Sequence, residues 1–271
     1  MEVKQLTFSD GKNKILNDIS LGFKENAITT LLGANGSGKT TLFNLCTKNL
    51  NPDRGMIMIG RTNIFDINQK KFAEQVAIVH QQNRIMGDIN VRQLVSYGRT
   101  PYMKLMRGYS AEDNDAIDWA IEVTGLGDIS DKPIGALSGG QRQRVWIAMS
   151  LAQKSNFLFL DEPTTYLDIK YQIEILELVR HLNRNLGITI VMVLHDINQA
   201  LKYSDEVIGL KDGKIVFAGT PDAVITDESV SDLYDIALAV EEFNNVKVVM
   251  PKNSNSPTRS EERRVGKECR S

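Results

Sequence analysis

Residues 33–40, Gly33-Ala34-Asn35-Gly36-Ser37-Gly38-Lys39-Thr40, follow the pattern G-x-x-x-x-G-K-[ST]. With glycine at about 7% of ordinary usage, a chance match in a chain this long is on the order of 1%. Glycines let backbone N–H groups wrap a β-phosphate without Cβ clashes. A helix starting at the end of such a loop adds its positive dipole end. Lys39 would bridge the β- and γ-phosphates, and the Thr40 hydroxyl would ligate Mg²⁺. Thr41, the next residue, is placed on the nucleotide with them.

Two further clusters could act on the same phosphates. Phe157-Leu158-Phe159-Leu160 is apolar and ends in Asp161-Glu162. In a parallel sheet the C-terminal strand ends face the ligand crevice. Asp161 is therefore placed to hold Mg²⁺, and Glu162 to orient or deprotonate a water attacking the γ-phosphate. Leu137-Ser138-Gly139-Gly140-Gln141 precedes a helix whose apolar face is Val145, Ala148, Met149 and Ala152. Five such ordered residues arise by chance about once per million positions. Ser138 and the amides of Gly139 and Gly140 would form a second anion site at a helix N-terminus. Two phosphate-binding surfaces can close on one nucleotide only if they come from different copies, which implies a head-to-tail homodimer.

The elements that must position these groups alternate. Residues 1–32 read as strands, the last being Ala27 to Leu32, and Met56 to Ile59 is another after the turn cluster 51–55. A helix end and a strand follow in Phe72 to Val79. Residues 88–152 read as helical, with Val91, Leu94 and Val95 on one face, and Ile117, Ala120, Ile121 and Thr124 on another. Ile175, Leu178, Val179 and Leu182 mark an amphipathic helix stopped by Gly187. Ile188 to Leu194 is the apolar run expected of a strand buried on both faces. Asp212-Gly213 signals a hairpin between Val207 to Leu210 and Ile215 to Ala218, and Thr220-Pro221 a capped helix start. The pattern is α/β with a mostly parallel sheet.

Composition narrows the class. Of 271 residues, 42% are hydrophobic and 24% charged, which is ordinary globular usage. The 32 Lys and Arg against 34 Asp and Glu give a net charge of −2, without the basic footprint of a dedicated nucleic-acid binder. No apolar run approaches the ~20 residues of a spanning helix. The start MEVKQLTFSD has no secretory pattern. Cys46 and Cys269 cannot make a disulfide framework. Cys46 reads as a small buried residue, and Trp119 and Trp146 as helical-region packing. Residues 252–271 lack apolar periodicity and carry six Lys/Arg against three Glu, leaving −5 on residues 1–251. They read as a disordered tail and resemble vector-derived or assembly-derived read-through.

The loop at 33–40, LSGGQ at 137–141, LFLDE at 158–162 and the histidine at 195 resemble the ATP-binding cassette (ABC) ATPases in order and spacing across roughly residues 1–250. The resemblance implies a P-loop NTPase cassette over 1–251. Its mostly parallel RecA-like core would span about 1–87 and 153–251, with an antiparallel β edge, and a helical subdomain would be inserted at about 88–152. It implies that ATP and Mg²⁺ are bound, with Gly33, Asn35, Gly36, Ser37, Gly38, Lys39, Thr40, Thr41, Ser138, Gly139, Gly140, Gln141 and Asp168 on the nucleotide. Gln81 would sense the γ-phosphate and the metal from a loop that contacts a membrane partner, with neighbouring Gln82 as the alternative. Asp168 would address the opposite phosphate loop, and His195 would contact the γ-phosphate. Catalysis would rest on Glu162, His195 and Gln81, and the metal on Thr40, Gln81 and Asp161. His80 and His181 read as packing or capping residues. Where many members carry an adenine-stacking aromatic, this sequence has Asp10, and Phe8 could serve only with a shifted register.

The segments 91–102, 110–114, 161–168 (DEPTTYLD) and 195–200 further resemble the importer ATPases for iron–siderophore, ferric citrate, haem and cobalamin, the first two most. That implies an ATP-hydrolysing subunit on the cytoplasmic face of the membrane. It would work with integral-membrane permease subunits and, through them, with an extracytoplasmic substrate-binding protein, without nucleic acid. Tyr97, Pro101, Tyr102 and Met103 could line a groove for the permease or simply belong to the helical core. The competing functions are an exporter cassette, a DNA-repair or translation ATPase, and a scaffold that binds ATP without turnover. The gap from Thr40 to Leu137 holds no sustained heptads, each motif occurs once, and Lys39, Asp161, Glu162 and His195 are all present, which counts against the last three.

Overall fold

The computed structural model describes residues 1–81, 83, 88–103, 108–244 and 246–252. In chain order its elements are β1 (Glu2–Asp10), β2 (Asn13–Gly22), β3 (Ile28–Leu32), α1 (Lys39–Cys46), β4 (Arg54–Ile59), β5 (Thr62–Asn63), α2 (Gln69–Ala73) and β6 (Val76–Val79). Then come α3 (Val91–Ser96), α4 (Ala111–Val123), α5 (Gly139–Ala152), β7 (Phe157–Asp161), α6 (Ile169–Leu186) and β8 (Thr189–Val193). The chain closes with α7 (Ile197–Tyr203), β9 (Glu206–Lys211), β10 (Lys214–Gly219), α8 (Pro221–Val224), α9 (Asp227–Tyr234), β11 (Leu238–Phe243) and β12 (Val246–Pro251).

The central sheet has the order β10-β9-β3-β8-β7-β6. Strands β9, β3, β8, β7 and β6 pair in parallel, and β10 closes the edge antiparallel through the Asp212-Gly213 hairpin. An antiparallel sheet, β2-β1-β4-β5, and the hairpin β11-β12 complete the β structure among the described residues. Strands β3, β7 and β8 are buried along their whole length. This burial explains the apolar runs Phe157–Leu160 and Ile190–Val193, because helices or a second sheet cover both faces, and in β3 Thr29 and Thr30 are buried with their apolar neighbours.

Alternation along these strands divides the interior into two cores. Ile28, Leu32, Leu158, Leu160, Ile190 and Met192 face a core shared with α3, α4, α5 and α6. Leu31, Phe157, Phe159, Val191 and Val193 face the antiparallel sheet and α1. A one-residue slip would exchange the two sets, so the register is fixed by burial on both sides. Cys46 is fully buried in the second core, which pushes its thiol up to about 12 and leaves it unreactive. Trp119 and Trp146 pack against the first core, as the sequence suggests.

The helical stretch is less regular than its sequence suggests. Among the described residues between β6 and β7 lie three α-helices and several 3₁₀ turns, one of which, Tyr97–Tyr102, contains Pro101. Capping boxes set the starts of α3 (Asn90 with Gln93) and α4 (Ser110 with Asp113). Helix α8 differs in another way. Pro221 takes its first position, but the Thr220 side chain makes no cap hydrogen bond. The Thr220 carbonyl instead accepts from the N–H groups of Ala223 and Val224, closing a helix of only four residues. Helix α9 and the hairpin β11-β12 form elements that the sequence pattern does not announce.

A buried ion pair ties the 3₁₀ turn Tyr97–Tyr102 to α4 and the end of α5. Arg99 Nε donates to Asp113 Oδ1 at 2.8 Å, and its Nη1 to the Ala152 carbonyl at the end of α5 at 2.8 Å. The guanidinium also lies over the Tyr102 ring, 3.8 Å from its centroid. Both side chains are less than a tenth exposed. Breaking a buried pair strands one charge, so Arg99→Ala should lower stability by roughly 3–5 kcal/mol in denaturant unfolding. Burial works to raise the Asp113 carboxyl, but hydrogen bonds from Ser110 and Arg99 outweigh it and hold the group below the usual range. Stability from a depressed carboxyl is present above its unfolded value, about 3.9, and is lost as pH falls through the folded value. The advantage of wild type over Asp113→Asn should therefore narrow below about pH 4.

Candidate functional site

The phosphate loop lies between β3 and α1. Strand β3 ends at Leu32, and Ala34, Asn35 and Gly36 are exposed before the chain enters α1. Gly38 is the N-cap of α1 with φ of +104°, and a Cβ there would meet the Leu16 side chain at 2.6 Å, so both backbone and space call for glycine. Lys39 is 5% exposed, and its Nζ donates to the carbonyls of Gly33 (2.8 Å) and Ala34 (2.9 Å). Burial lowers its pKa, while the nearby Glu162 and Asp161 carboxylates oppose the shift. Ser37 Oγ is buried without a hydrogen-bond partner. A buried cation satisfied only by carbonyls, an orphaned hydroxyl and a helix N-terminus make a cradle for phosphate oxygens. Thr40 and Thr41 begin α1 on its accessible side.

The acids sit at the C-terminal end of β7, and the chain turns sharply there. Asp161 is the last strand residue and is buried, while Glu162 adopts φ of +49°. Burial, then the neighbouring Glu162, pushes the Asp161 carboxyl up, and His80, His195 and Lys39 pull the other way. Three side chains converge on Glu162. Gln81 Nε2, two residues beyond β6, donates to Oε2 at 2.5 Å. His195 Nε2, two residues beyond β8, lies 2.6 Å from Oε1. Thr165 Oγ1 donates to Oε2 at 3.0 Å. Adjacent parallel strand ends thus deliver Gln81, Glu162 and His195 to one point.

Thr165 is the member that motif reading leaves without a role. Its backbone N–H bonds to the Glu162 carbonyl at 3.2 Å, so the turn sets the hydroxyl against the carboxylate. The i, i+3 spacing from an acid at a strand end is the signal that could have found it. Thr165 is a positioning residue, and the loss of a hydrogen bond to a charged group predicts its effect. Thr165→Val should lower the rate of ATP turnover by about tenfold with little change in KM, and Thr165→Ser should restore it. Steady-state phosphate release measures both.

The second expected anion site lies apart. Ser138 caps α5 in a capping box: its Oγ accepts from the Gln141 N–H at 3.3 Å, and Gln141 Oε1 accepts from the Ser138 N–H at 3.0 Å. Gly140 brings the start of α5 against α6, where a Cβ would meet the Tyr171 ring at 2.3 Å. Asp168 is the N-cap of α6, accepting from the Tyr171 N–H. Among the described residues no hydrogen bond or ion pair joins 138–141 or Asp168 to the phosphate loop. Beside Asp168, Tyr166 is 82% and Ile169 74% exposed.

The remaining candidates settle individually. Asp10 is exposed at the β1-β2 turn, opposite Asn13. Phe8 pairs with Leu16 and packs on the second core, so its ring is already used. Tyr97 and Met103 are exposed, whereas the Tyr102 hydroxyl donates to the Gln153 carbonyl. His181 is exposed and bonds Asn185, and the His80 carbonyl accepts from Asn83. Gln82, Cys269 and the stretch 253–271 lie outside the described residues.

A sequence model of the ABC transporter family matches residues 16–165. The petrobactin import ATP-binding protein FpuC of Bacillus anthracis is 36% identical over 93% of this chain and 93% of its own length. The iron(3+)-hydroxamate import ATP-binding protein FhuC of Bacillus subtilis is 39% identical over 87% of this chain and 88% of its own. Among solved structures, the dimeric, post-hydrolysis ATP-binding cassette MJ0796, bound to ADP and Pi, is 27% identical with a TM-score of 0.68, covering 81% of this chain and 97% of that one. Likeness over nearly the whole length agrees with a phosphate cradle set beside a shared carboxylate: this chain belongs to the ABC transporter family and is one of its ATP-binding, ATP-hydrolysing cassettes.

Proposed function

We propose that this cassette works as a homodimer beneath a separate membrane permease and powers the import of an iron complex of the siderophore or ferric-citrate type. The observation that carries the catalytic part is the convergence of Gln81, His195 and Thr165 on Glu162. Glu162 is the general base for the attacking water. Gln81 and His195, donors to Glu162 here, are the residues that exchange this carboxylate for the γ-phosphate and the water when ATP arrives. Lys39 holds the β- and γ-phosphates, with Gly33, Asn35, Gly36, Ser37, Gly38, Thr40 and Thr41 around them.

Mg²⁺ bound with the nucleotide would neutralise phosphate charge. Thr40, Gln81 and Asp161 would hold it, and these hard oxygen donors suit that ion. Burial and then Glu162 push the Asp161 carboxyl up, and a cation held beside it would offset both.

The dimer reading is supported by the separation of the motifs' contacts. Among the described residues Ser138, Gly139, Gly140, Gln141 and Asp168 make no hydrogen bond or ion pair to the phosphate loop of their own chain, and a second copy would bring them to it. Exposed Tyr166 and Ile169 beside Asp168 give that contact apolar surface. The core at about 1–87 and 153–251 and the helical unit at about 88–152 are the bodies that ATP closes and hydrolysis releases.

No helix among the described residues is long and apolar enough to cross a membrane. The spans therefore belong to the permease, which the Gln81 loop contacts at the cytoplasmic face, and an extracytoplasmic binding protein delivers the substrate. Petrobactin is the cargo named for FpuC and iron(3+)-hydroxamate that named for FhuC, and likeness to them supports the assignment. Affinity capture from solubilised membranes should yield a polytopic permease that raises the ATPase rate. Recovery with ribosomes or DNA, without a membrane protein, would overturn the assignment.

A further inference from the structure

A cavity lies at the end of the sheet away from Glu162. It has a volume of about 370 Å³ and is lined by Trp119 of α4, Leu151 of α5, Leu158 of β7, Leu186 and Ile188 at the α6-β8 junction, and Lys154 in the turn after α5. Ser150 and Ser155 also line it, their hydroxyls donating to the Trp146 and Phe157 carbonyls, and Lys154 is the charged residue of the lining, exposed, with its ammonium 3.0 Å from the Trp119 ring centroid. Among the described residues no carboxylate lies within ion-pair distance of that ammonium. Among the described residues the charge acting on it is the like charge of Arg99, which is paired with Asp113. Burial and Arg99 hold the Lys154 pKa below the usual lysine range.

The backbone points the same way. Lys154 has φ of +55° and ends α5 by donating its N–H to the Leu151 carbonyl at 2.9 Å. Glycine is the residue that takes this left-handed position at helix ends without strain. A lysine here places a cation at the mouth of the chamber, where glycine would be easier on the fold.

We propose that this cavity binds a small amphipathic monocarboxylate. Its carboxylate would meet Lys154, and its apolar body would lie among Leu151, Leu158, Leu186 and Ile188. One ammonium balances one negative charge, and the chamber is of ligand-binding size. The occupant would pack against two elements whose far ends carry the nucleotide residues: α5 begins at Ser138–Gln141, and β7 ends at Asp161. The proposal does not depend on what the transporter carries.

Equilibrium dialysis of the full chain tests it, with octanoate, octan-1-ol and octylammonium as probes. Wild type should bind octanoate about tenfold more tightly than octan-1-ol, the value of one charge-assisted contact. Lys154→Gly, which suits the backbone and should fold normally, should bind octanoate no better than octan-1-ol. Lys154→Glu should reverse the preference and favour octylammonium. Equal binding of octanoate and octan-1-ol by wild type, or undiminished octanoate binding by Lys154→Gly, would overturn the proposal.

Discussion

Glu162→Gln should bind ATP and fail to hydrolyse it. Glutamine has the same shape and can still accept hydrogen bonds from Gln81 and Thr165, so the turn at +49° and the strand ends around it should persist. What it loses is the ability to take a proton from water. A positioned general base contributes about 10²- to 10⁴-fold, so the rate of phosphate release should fall by at least about 10². The nucleotide cradle is untouched, so affinity for ATP should remain within about twofold, since contacts that are not removed keep their energy. Binding without hydrolysis traps the closed state. The variant should therefore run as a dimer with ATP and as a monomer without it, which light scattering can follow. Turnover at the wild-type rate would mean that another group activates the water.

Lys39→Ala should act at the earlier step. Lys39 is a buried cation whose Nζ donates to the carbonyls of Gly33 and Ala34. Burial already lowers its pKa, and the two carboxylates nearby sustain its charge. Phosphate oxygens offer it full counter-charges in a site where water is scarce. A hydrogen bond to a charged group is worth about 1.5–3 kcal/mol, so the alanine variant should bind ATP at least tenfold and up to about 100-fold more weakly. AMP, which lacks both phosphates, should bind wild type and variant alike. Titration with a fluorescent ATP analogue, repeated in competition with AMP, measures both. Lys39→Arg should not restore affinity, because a planar guanidinium does not fit the narrow space between the carbonyls and the phosphates. Unchanged ATP affinity in Lys39→Ala would remove the phosphate-loop assignment.

The site was legible in the sequence because its residues sit at the ends of strands that read clearly. Strands β7 and β8 are buried on both faces and show as near-continuous apolar runs, and β3 is as fully buried. Gly33 follows β3 directly, Asp161 ends β7, and His195 lies two residues beyond β8. Amphipathic α6 read equally well, with Ile175, Val179 and Leu182 buried and Gly187 in the left-handed C-cap. Thr165 was not legible as a partner of Glu162, because the contact depends on a turn rather than on a motif. The hairpin β11-β12 escaped notice for the opposite reason to β7. Phe243 and Val246 are exposed, so the strand pattern does not separate a core face from a solvent face. The helical region was visible as helical, but its division was not. The division depends on Pro101 inside a 3₁₀ turn and on the Arg99–Asp113 pair, which links residues 14 positions apart. Asp10 was visible as a departure. The structure adds that Phe8 pairs with Leu16 and packs, half-buried, on the second core.

The central claim is that hydrolysis at Glu162 drives uptake of an iron complex. The most direct measurement is accumulation of radiolabelled iron–siderophore by cells whose only copy of this chain is wild type or Glu162→Gln, at matched expression. Accumulation against a gradient in wild type, and none above the no-cassette background in the variant, is the result expected. Equal accumulation in both strains would contradict the account.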